Sequence, residues 1–559
     1  MTTLTVSGRV AQVLSSYASD VFGVMGNGNV YFLDAAEQQG LRFTAVRHEG
    51  AAIAAADAYY RASGRLAVGT TTYGPGYTNA LTALAEAVQA QIPVVLVTGD
   101  APTTGARPWD VDQATIAAGL GAATFTVTRD DADAITRQAV EYALSRRTAV
   151  VLAIPYDLAA LEAAEGDLPE PAALKMTDDG GTDLAQVARL LAGARRPLIL
   201  AGRGAHLAGA GPELRELADR LGALTAGTAL ALNLLNGEGY LGVAGGFGTD
   251  TAAGLMGEAD VVLVAGASLS PFTMRFGHLL GPDATVIQID TAVEPTNPRV
   301  DVFVQADVKV AASRLLSLLD GEAAAGAWRA EASRRLAVGA GHAAGSDEIV
   351  DGRLDPRALA AALDAVLPER RTVVQDGGHF IGWAPMYWHI PRPQDLVMVG
   401  TAFQSIGLGL ASAVGAARAV EDDRTLVLAS GDGGFLMGLS DLESLIGAAR
   451  SAIVVIYNDA AYGAEIHQYG SQGLTEKPML IPEVDFSGVA RALGAESAVI
   501  RSLDDLSALQ DWIDAGAKGT FVADCRITSS VRAPWLTEWM NATRAPKAAL
   551  AAVAAVAAG

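Results

Sequence analysis

Thr425-Leu426-Val427-Leu428-Ala429, followed by Gly431-Asp432-Gly433-Gly434-Phe435, decides the fold. The first run is short, apolar and without polar alternation, which reads as a strand buried on both faces of a parallel sheet. The glycines behind it form a turn at the strand's carboxyl end, where open α/β sheets bind ligands. A second apolar run, Ala452-Ile453-Val454-Val455-Ile456, delivers Asn458, Asp459, Ala460, Ala461, Tyr462 and Gly463 to the same edge. A glycine-rich turn lets backbone N–H groups approach phosphate oxygens, and Asp432 and Asp459 supply the hard oxygens that a divalent ion takes. Taken alone, the first motif also fits an ordinary strand, turn and helix with a solvated aspartate.

Three further stretches carry chemistry. Val46-Arg47-His48-Glu49 leads into an alanine-rich helical segment ending near Gly64. Glu49 in a first helical turn either offsets the macrodipole, worth about 0.3–1 kcal/mol, or is a functional carboxyl group in apolar surroundings. Gly69-Thr70-Thr71-Thr72-Tyr73-Gly74-Pro75-Gly76-Tyr77-Thr78-Asn79 is again a strand closing in a glycine-rich turn. Thr401-Ala402-Phe403-Gln404-Ser405-Ile406-Gly407-Leu408-Gly409 places a β-branched residue, stiff at χ1, before two glycines. Ile406 there is a buttress or plain core.

In order and spacing these stretches resemble the thiamine-diphosphate enzymes of the acetolactate synthase, pyruvate decarboxylase and benzoylformate decarboxylase family. Asp432 and Asp459 lie 27 residues apart, as in that family's Gly-Asp-Gly to Asn-Asn signature, with Asp459 in place of the second Asn. The resemblance implies thiamine diphosphate and Mg²⁺, held through the Asp432 and Asp459 side chains and the Ala461 carbonyl. It implies that Gly431, Gly433, Gly434, Phe435, Tyr462 and His379 surround the diphosphate, and that Gly74, Gly76, Asn79, Gln404 and Ser405 also touch the cofactor. Ile406 becomes the wedge between the two cofactor rings, and Glu49 the carboxyl group on the aminopyrimidine N1′. The extra charge at Asp459 strengthens divalent binding or demands a compensating donor.

Substrate-facing residues follow from the same resemblance. Asn27, in Gly26-Asn27-Gly28-Asn29, stands where cyclic-dione hydrolases often carry His, and Gln113 matches a glutamine that acetolactate-synthase-like enzymes direct at the reacting carbon. Both could donate hydrogen bonds to a substrate oxygen, or serve as loop-stabilising amides. Glu465, six residues after Asp459, matches a decarboxylase glutamate that faces the reacting carbon, or lies on an exposed helix face. The expected activity is that of a C–C bond lyase or ligase acting on a 2-oxo acid or related dicarbonyl. Non-oxidative decarboxylation and cyclic 1,2-dione hydrolysis are the enzymatic alternatives, and a catalytically silent scaffold the non-enzymatic one. Gly202-Arg203-Gly204-Ala205 after a strand is too short a fingerprint to imply a dinucleotide. Ser268 to Arg275 replaces the segment with which some relatives bind FAD, so FAD is not expected.

Composition fits this picture. The chain has 559 residues, half of them hydrophobic, which suits about three domains. The alternation of strands and helices predicts an α/β protein of three doubly wound parallel-sheet domains. The resemblance makes them pyrimidine-binding (1–165), central (182–335) and diphosphate-binding (353–540), with a linker over 166–182 and an Ala-rich tail over 541–559. A net charge of −22 argues against nucleic acid or an anionic membrane as partner, and asks for local positive charge or metal wherever an anionic substrate binds. The single cysteine, Cys525, and the absence of a long apolar run point to a cytoplasmic protein. Because Glu49 and Asp432 fall in different domains, the resemblance implies a cofactor shared between subunits, in a homodimer or a dimer of dimers.

Overall fold

A computed structural model describes residues 4–164, 183–319, 327–339 and 341–543. The expected linker and the tail from residue 544 onward lie outside the described residues. The chain forms three six-stranded sheets, every pairing parallel. The first holds β1 (Asp20–Gly23), β2 (Arg42–Ala45), β3 (Val68–Thr71), β4 (Val94–Asp100), β5 (Ala123–Thr126) and β6 (Ala149–Pro155). The second holds β7 (Pro197–Ala201), β8 (Leu224–Gly227), β9 (Tyr240–Val243), β10 (Val261–Ala265), β11 (Thr285–Asp290) and β12 (Val302–Gln305). The third holds β13 (Arg371–Gln375), β14 (Leu396–Met398), β15 (Thr425–Gly431), β16 (Ser451–Asn458), β17 (Glu496–Ile500) and β18 (Gly519–Arg526). Central strands such as β4, β6, β10 and β15 are buried almost throughout, since helices cover both faces of each sheet.

Strand order separates the three units. The first sheet runs β2-β1-β3-β4-β6-β5 and the third β14-β13-β15-β16-β18-β17, the same order carried on other residues. The second runs β12-β11-β10-β7-β8-β9, the order of dinucleotide-binding folds. Its Gly202-Arg203-Gly204 turn has a packing explanation. A Cβ at Gly202 would collide with the Gly266 carbonyl, and Gly204 N–H donates to that oxygen at 2.9 Å. Arg203 turns away toward the first domain, where it donates to the Ala90 carbonyl at 2.6 Å, and burial brings its pKa down to about 10.

In the first and third sheets the chain leaves in opposite directions from the first and third strands of the unit, so the switch points lie at β1/β3 and β13/β15. The two domains meet through equivalent helices, Glu49–Ser63 after β2 and Gly409–Ala419 after β14. Residues Gly50 to Tyr59 are all buried, so the alanines there line a close helix crossing and not only one face. Gly415 sits at the crossing point, where any Cβ would collide with the Ala55 carbonyl. None of the described helices is long and apolar enough to cross a membrane.

Candidate active site

At the first switch point, the loop after β2 passes directly into the Glu49–Ser63 helix. His48 Nδ1 accepts from Gly50 N–H at 3.2 Å as the N-cap, and Glu49 occupies the first helical position. Glu49 is half-buried, and its Oε2 accepts from Asn79 Nδ2 at 2.9 Å. A Cβ on Gly76 would come within 3.3 Å of Glu49 Oε1, so the Gly-Pro-Gly turn after β3 lies against this carboxylate. Gly74 has φ +59, a conformation that a side chain resists. The structure therefore brings Glu49, Gly74, Gly76 and Asn79 together.

Gln113 is buried, with both ends of its amide committed to backbone. Its Oε1 accepts from Gly74 N–H at 2.8 Å and its Nε2 donates to the Gly99 carbonyl at 3.0 Å. These bonds fix the Gly74 turn and leave the second Nε2 hydrogen without a hydrogen bond among the described residues. Asn27, exposed after β1, donates from Nδ2 to Tyr73 Oη at 3.1 Å and to Tyr156 Oη at 3.5 Å. Both tyrosine rings flank Arg107, whose guanidinium carbon lies 4.0 Å from the Tyr73 centroid and 4.7 Å from that of Tyr156. Arg107 pairs with Asp110 through Nε and Nη2, leaving Nη1 without a hydrogen bond among the described residues. Sequence reasoning passed over this cluster, because a lone Arg in a loop carries no signal until four strand ends converge on it.

At the third switch point, β15 runs through Gly431, and Asp432 opens a helix (Asp432–Met437) with no intervening loop. The expected turn is thus a direct strand-to-helix junction. Asp432 Oδ1 accepts from Gly433 N–H at 2.9 Å, while its Oδ2 is buried without a hydrogen bond among the described residues. Burial pushes Asp432 up to about 6. Asp459 rises to about 7, first through burial and then through the neighbouring Asp432 charge. Two neighbouring carboxylates in a desolvated setting, one with an oxygen unsatisfied among the described residues, could hold a hard divalent cation. Ala460, next to them, holds a left-handed backbone at φ +58, a strained conformation for a non-glycine residue. The Ala460 carbonyl accepts from Ile481 N–H, and that of Tyr462 from the N–H groups of Glu465 and Ile466. Ala461 lies between these two engaged carbonyls. Asn458 is a structural pin: its Nδ2 donates to Asp524 Oδ1 at 2.9 Å inside the core.

The glycines of this junction make room first for the protein itself. A Cβ on Gly433 would lie 2.7 Å from the Tyr462 ring, and one on Gly434 2.5 Å from Asp376 Oδ2. Phe435, expected at the diphosphate, points into the core against Phe486, with ring centroids 5.2 Å apart; the helix turns position 435 inward, so its ring is not a cofactor contact. His379 is buried and its Nε2 accepts from Ala533 N–H at 2.8 Å, which puts the proton of the neutral ring on Nδ1. Burial, then the charges of His467 and Arg532, hold it down to about 3.

Asp376, for which no role is expected from the sequence, is the hub of this switch point. Fully buried, it accepts from Gly377 N–H (2.8 Å), Gly407 N–H (2.9 Å) and Ser430 Oγ (3.1 Å), tying β13, β15 and the Ile406 segment together. Ile406 is half-buried, with Cγ2 3.0 Å from where a Gly377 Cβ would stand. Gln404 is exposed in a left-handed conformation at φ +63, and Ser405 Oγ is buried without a hydrogen-bond partner among the described residues. Glu465, on the Gly463–Gln468 helix, is exposed and has no side-chain hydrogen bond or ion pair among the described residues. No hydrogen bond, ion pair or ring contact joins the Glu49 group to the Asp432 group among the described residues.

Comparison with known proteins fits both switch points. Residues 4–118 match the thiamine pyrophosphate enzyme N-terminal TPP binding domain, 184–315 the central domain and 376–524 the C-terminal TPP binding domain. The chain belongs to the thiamine pyrophosphate enzymes. Curated relatives extend over nearly the whole of this family member. It is 28% identical to a sulfoacetaldehyde acetyltransferase of Castellaniella defragrans over 546 residues, covering 90% of each chain. It is 29% identical to the acetolactate synthase isozyme 2 large subunit of Escherichia coli, covering 88% of this chain and 90% of the relative. A probable acetolactate synthase large subunit of Methanococcus aeolicus is 27% identical, with 88% of this chain and 87% of the relative covered.

Proposed function

We propose that this thiamine-diphosphate enzyme requires Mg²⁺ and makes or breaks a C–C bond of a 2-oxo acid or related dicarbonyl, in the manner of acetolactate synthase. The observation that carries the metal is buried Asp432, its Oδ2 without a hydrogen bond among the described residues, beside half-buried Asp459. These two side chains and the Ala461 carbonyl would hold the ion, and the ion the diphosphate. When bound, the cofactor supplies a carbanion that adds to a carbonyl carbon. Glu49, kept in place by Asn79, would hold the proton at the aminopyrimidine N1′, and Ile406 would enforce the bent cofactor. Arg107, paired with Asp110 and flanked by the two tyrosines that Asn27 bonds, would offer its Nη1 edge to an anionic substrate. Acetolactate synthases among the relatives support ligation over simple decarboxylation. A second copy would complete each site, as the family resemblance implies, giving a homodimer or a dimer of dimers.

The test is turnover of the purified protein with thiamine diphosphate and Mg²⁺ on pyruvate, longer 2-oxo acids, sulfoacetaldehyde and cyclohexane-1,2-dione, with products identified by mass spectrometry. A coupled hydroxyketone from a 2-oxo acid is expected; an aldehyde alone, or ring opening of the dione, would replace this reading. Glu49→Gln should lower kcat by roughly 100- to 10,000-fold while leaving cofactor binding in place, and undiminished turnover in that variant would remove Glu49 from the mechanism.

A further inference from the structure

Two buried carboxylates reach across the interface between the first and third domains, in opposite directions and with the same target. Glu86, in the crossover between β3 and β4, is fully buried. Its Oε2 accepts from the backbone N–H groups of Ala402 (3.0 Å) and Phe403 (2.7 Å), in the loop between β14 and its helix. Asp441, in the equivalent crossover between β15 and β16, is also buried, and its Oδ1 accepts from Arg47 N–H at 2.8 Å. Arg47 lies in the loop between β2 and its helix. Each domain thus sends an acid from its third crossover to the loop after the second strand of the other. The two domains share one strand order, so this reciprocity is a pseudo-two-fold relation.

The loops so held are those of the candidate site. Ala402 and Phe403 precede Gln404, Ser405 and Ile406; Arg47 precedes His48 and Glu49. We infer that Glu86 and Asp441 are positioning residues, a reciprocal pair of carboxylate clamps that set the Ile406 loop and the Glu49 loop from the opposite domain. The inference rests on the thiamine-diphosphate reading of those two loops. Glu86 is backed by a buried relay. Its Oε1 accepts from Arg61 at 3.3 Å, and Arg61 pairs with Asp57 at 2.5 Å on the Glu49–Ser63 helix itself. The helix that presents Glu49 is therefore wired to the backbone ahead of Ile406. A carboxylate accepting two consecutive N–H groups is a strong, charge-assisted anchor, and it restrains a segment that includes the strained Gln404.

The test uses the full-length protein with thiamine diphosphate and Mg²⁺. Glu86→Leu and Asp441→Ala remove the acceptor, whereas Glu86→Gln and Asp441→Asn keep a carbonyl oxygen in its place. Cofactor affinity is read by quenching of tryptophan fluorescence, and cofactor activation by the rate of C2 proton exchange. Glu86→Leu should weaken cofactor binding about tenfold or more, and Asp441→Ala should slow C2 exchange about tenfold or more with affinity nearly unchanged. The amide variants should recover most of each loss. Acceptor-less variants that match the parent in both readouts would overturn the clamps. If Glu86→Leu does not fold, Asp441→Ala decides, together with amide hydrogen exchange in the unaltered holoprotein: the Arg47, Ala402 and Phe403 amides should be protected, and exchange at free-loop rates would overturn the inference. Failure of the parent itself to bind the cofactor would bring down the thiamine reading, with amide exchange still deciding the clamps.

Discussion

At the switch point of the first sheet Glu49 is half-buried and accepts a hydrogen bond from Asn79, whereas at that of the third sheet Asp432 is buried with one oxygen unsatisfied among the described residues, and its charge acts on Asp459. The strand order around them is the same. Topology fixes where a ligand can sit, and the residues at the edge fix what it can be. A lone carboxylate with a neutral amide partner can share a proton with a ring nitrogen. Neighbouring desolvated carboxylates repel one another, a cost that Arg353 and nearby backbone N–H groups offset in part and that a bound cation would relieve further.

That contrast is broken most severely at the paired carboxylates. Asp432→Asn should lower Mg²⁺-dependent turnover by at least roughly a hundredfold, while the metal-free protein melts at a higher temperature, because one buried charge is gone; a lower Tm would show that Asp432 stabilises the fold directly. Next in size is the helix crossing that ties the two domains together. Gly415→Ala should destabilise by about 3 kcal/mol or more in denaturant unfolding, since backbone cannot yield as a side chain would.

A smaller effect separates the two clamps. Burial pushes Asp441 up to about 6, with His48, Arg47 and Glu443 the charges that face it. Its folded pKa lies above its unfolded value near 3.8, so the stability it contributes is full below that value and is lost as pH rises through about 6. Asp441→Asn should flatten this part of the stability profile between pH 4 and 6, which thermal melts across that range would check. Smallest of all is the exposed pair of the same interface, Arg47 with Glu443 at 2.7 Å, both partners about half exposed. Glu443→Ala should cost less than about 1 kcal/mol, and a larger loss would mean that charge and not helix packing holds the domains together.

Legibility in the sequence followed the range of the interaction. Strand runs, glycine turns and their spacing are local, and they placed the runs Thr425–Ala429 and Ala452–Ile456 within two residues of the bounds of β15 and β16. Asp432, Asp459, Glu49 and Asn79 were found because each stands at a strand end or helix start with a distinctive neighbour. Side-chain direction was less legible. Phe435 turns into the core and Gln113 bonds Gly74 and Gly99 through its amide, because helix phase and loop closure, not residue type, decide where a side chain ends.

By itself, then, the sequence determined three parallel α/β units, the ligand-binding edges expected of the first and the third, and the carboxylates set there. These are consequences of hydrophobic period and turn chemistry over a few residues. Tertiary structure alone decided that the first and third units are copies in strand order, that Asp376 binds three segments at one switch point, and that Glu86 and Asp441 each grip the other domain's loop. Those bonds join residues hundreds of positions apart, and a buried carboxylate finds such partners only when helix packing has closed the interface and removed water as the alternative.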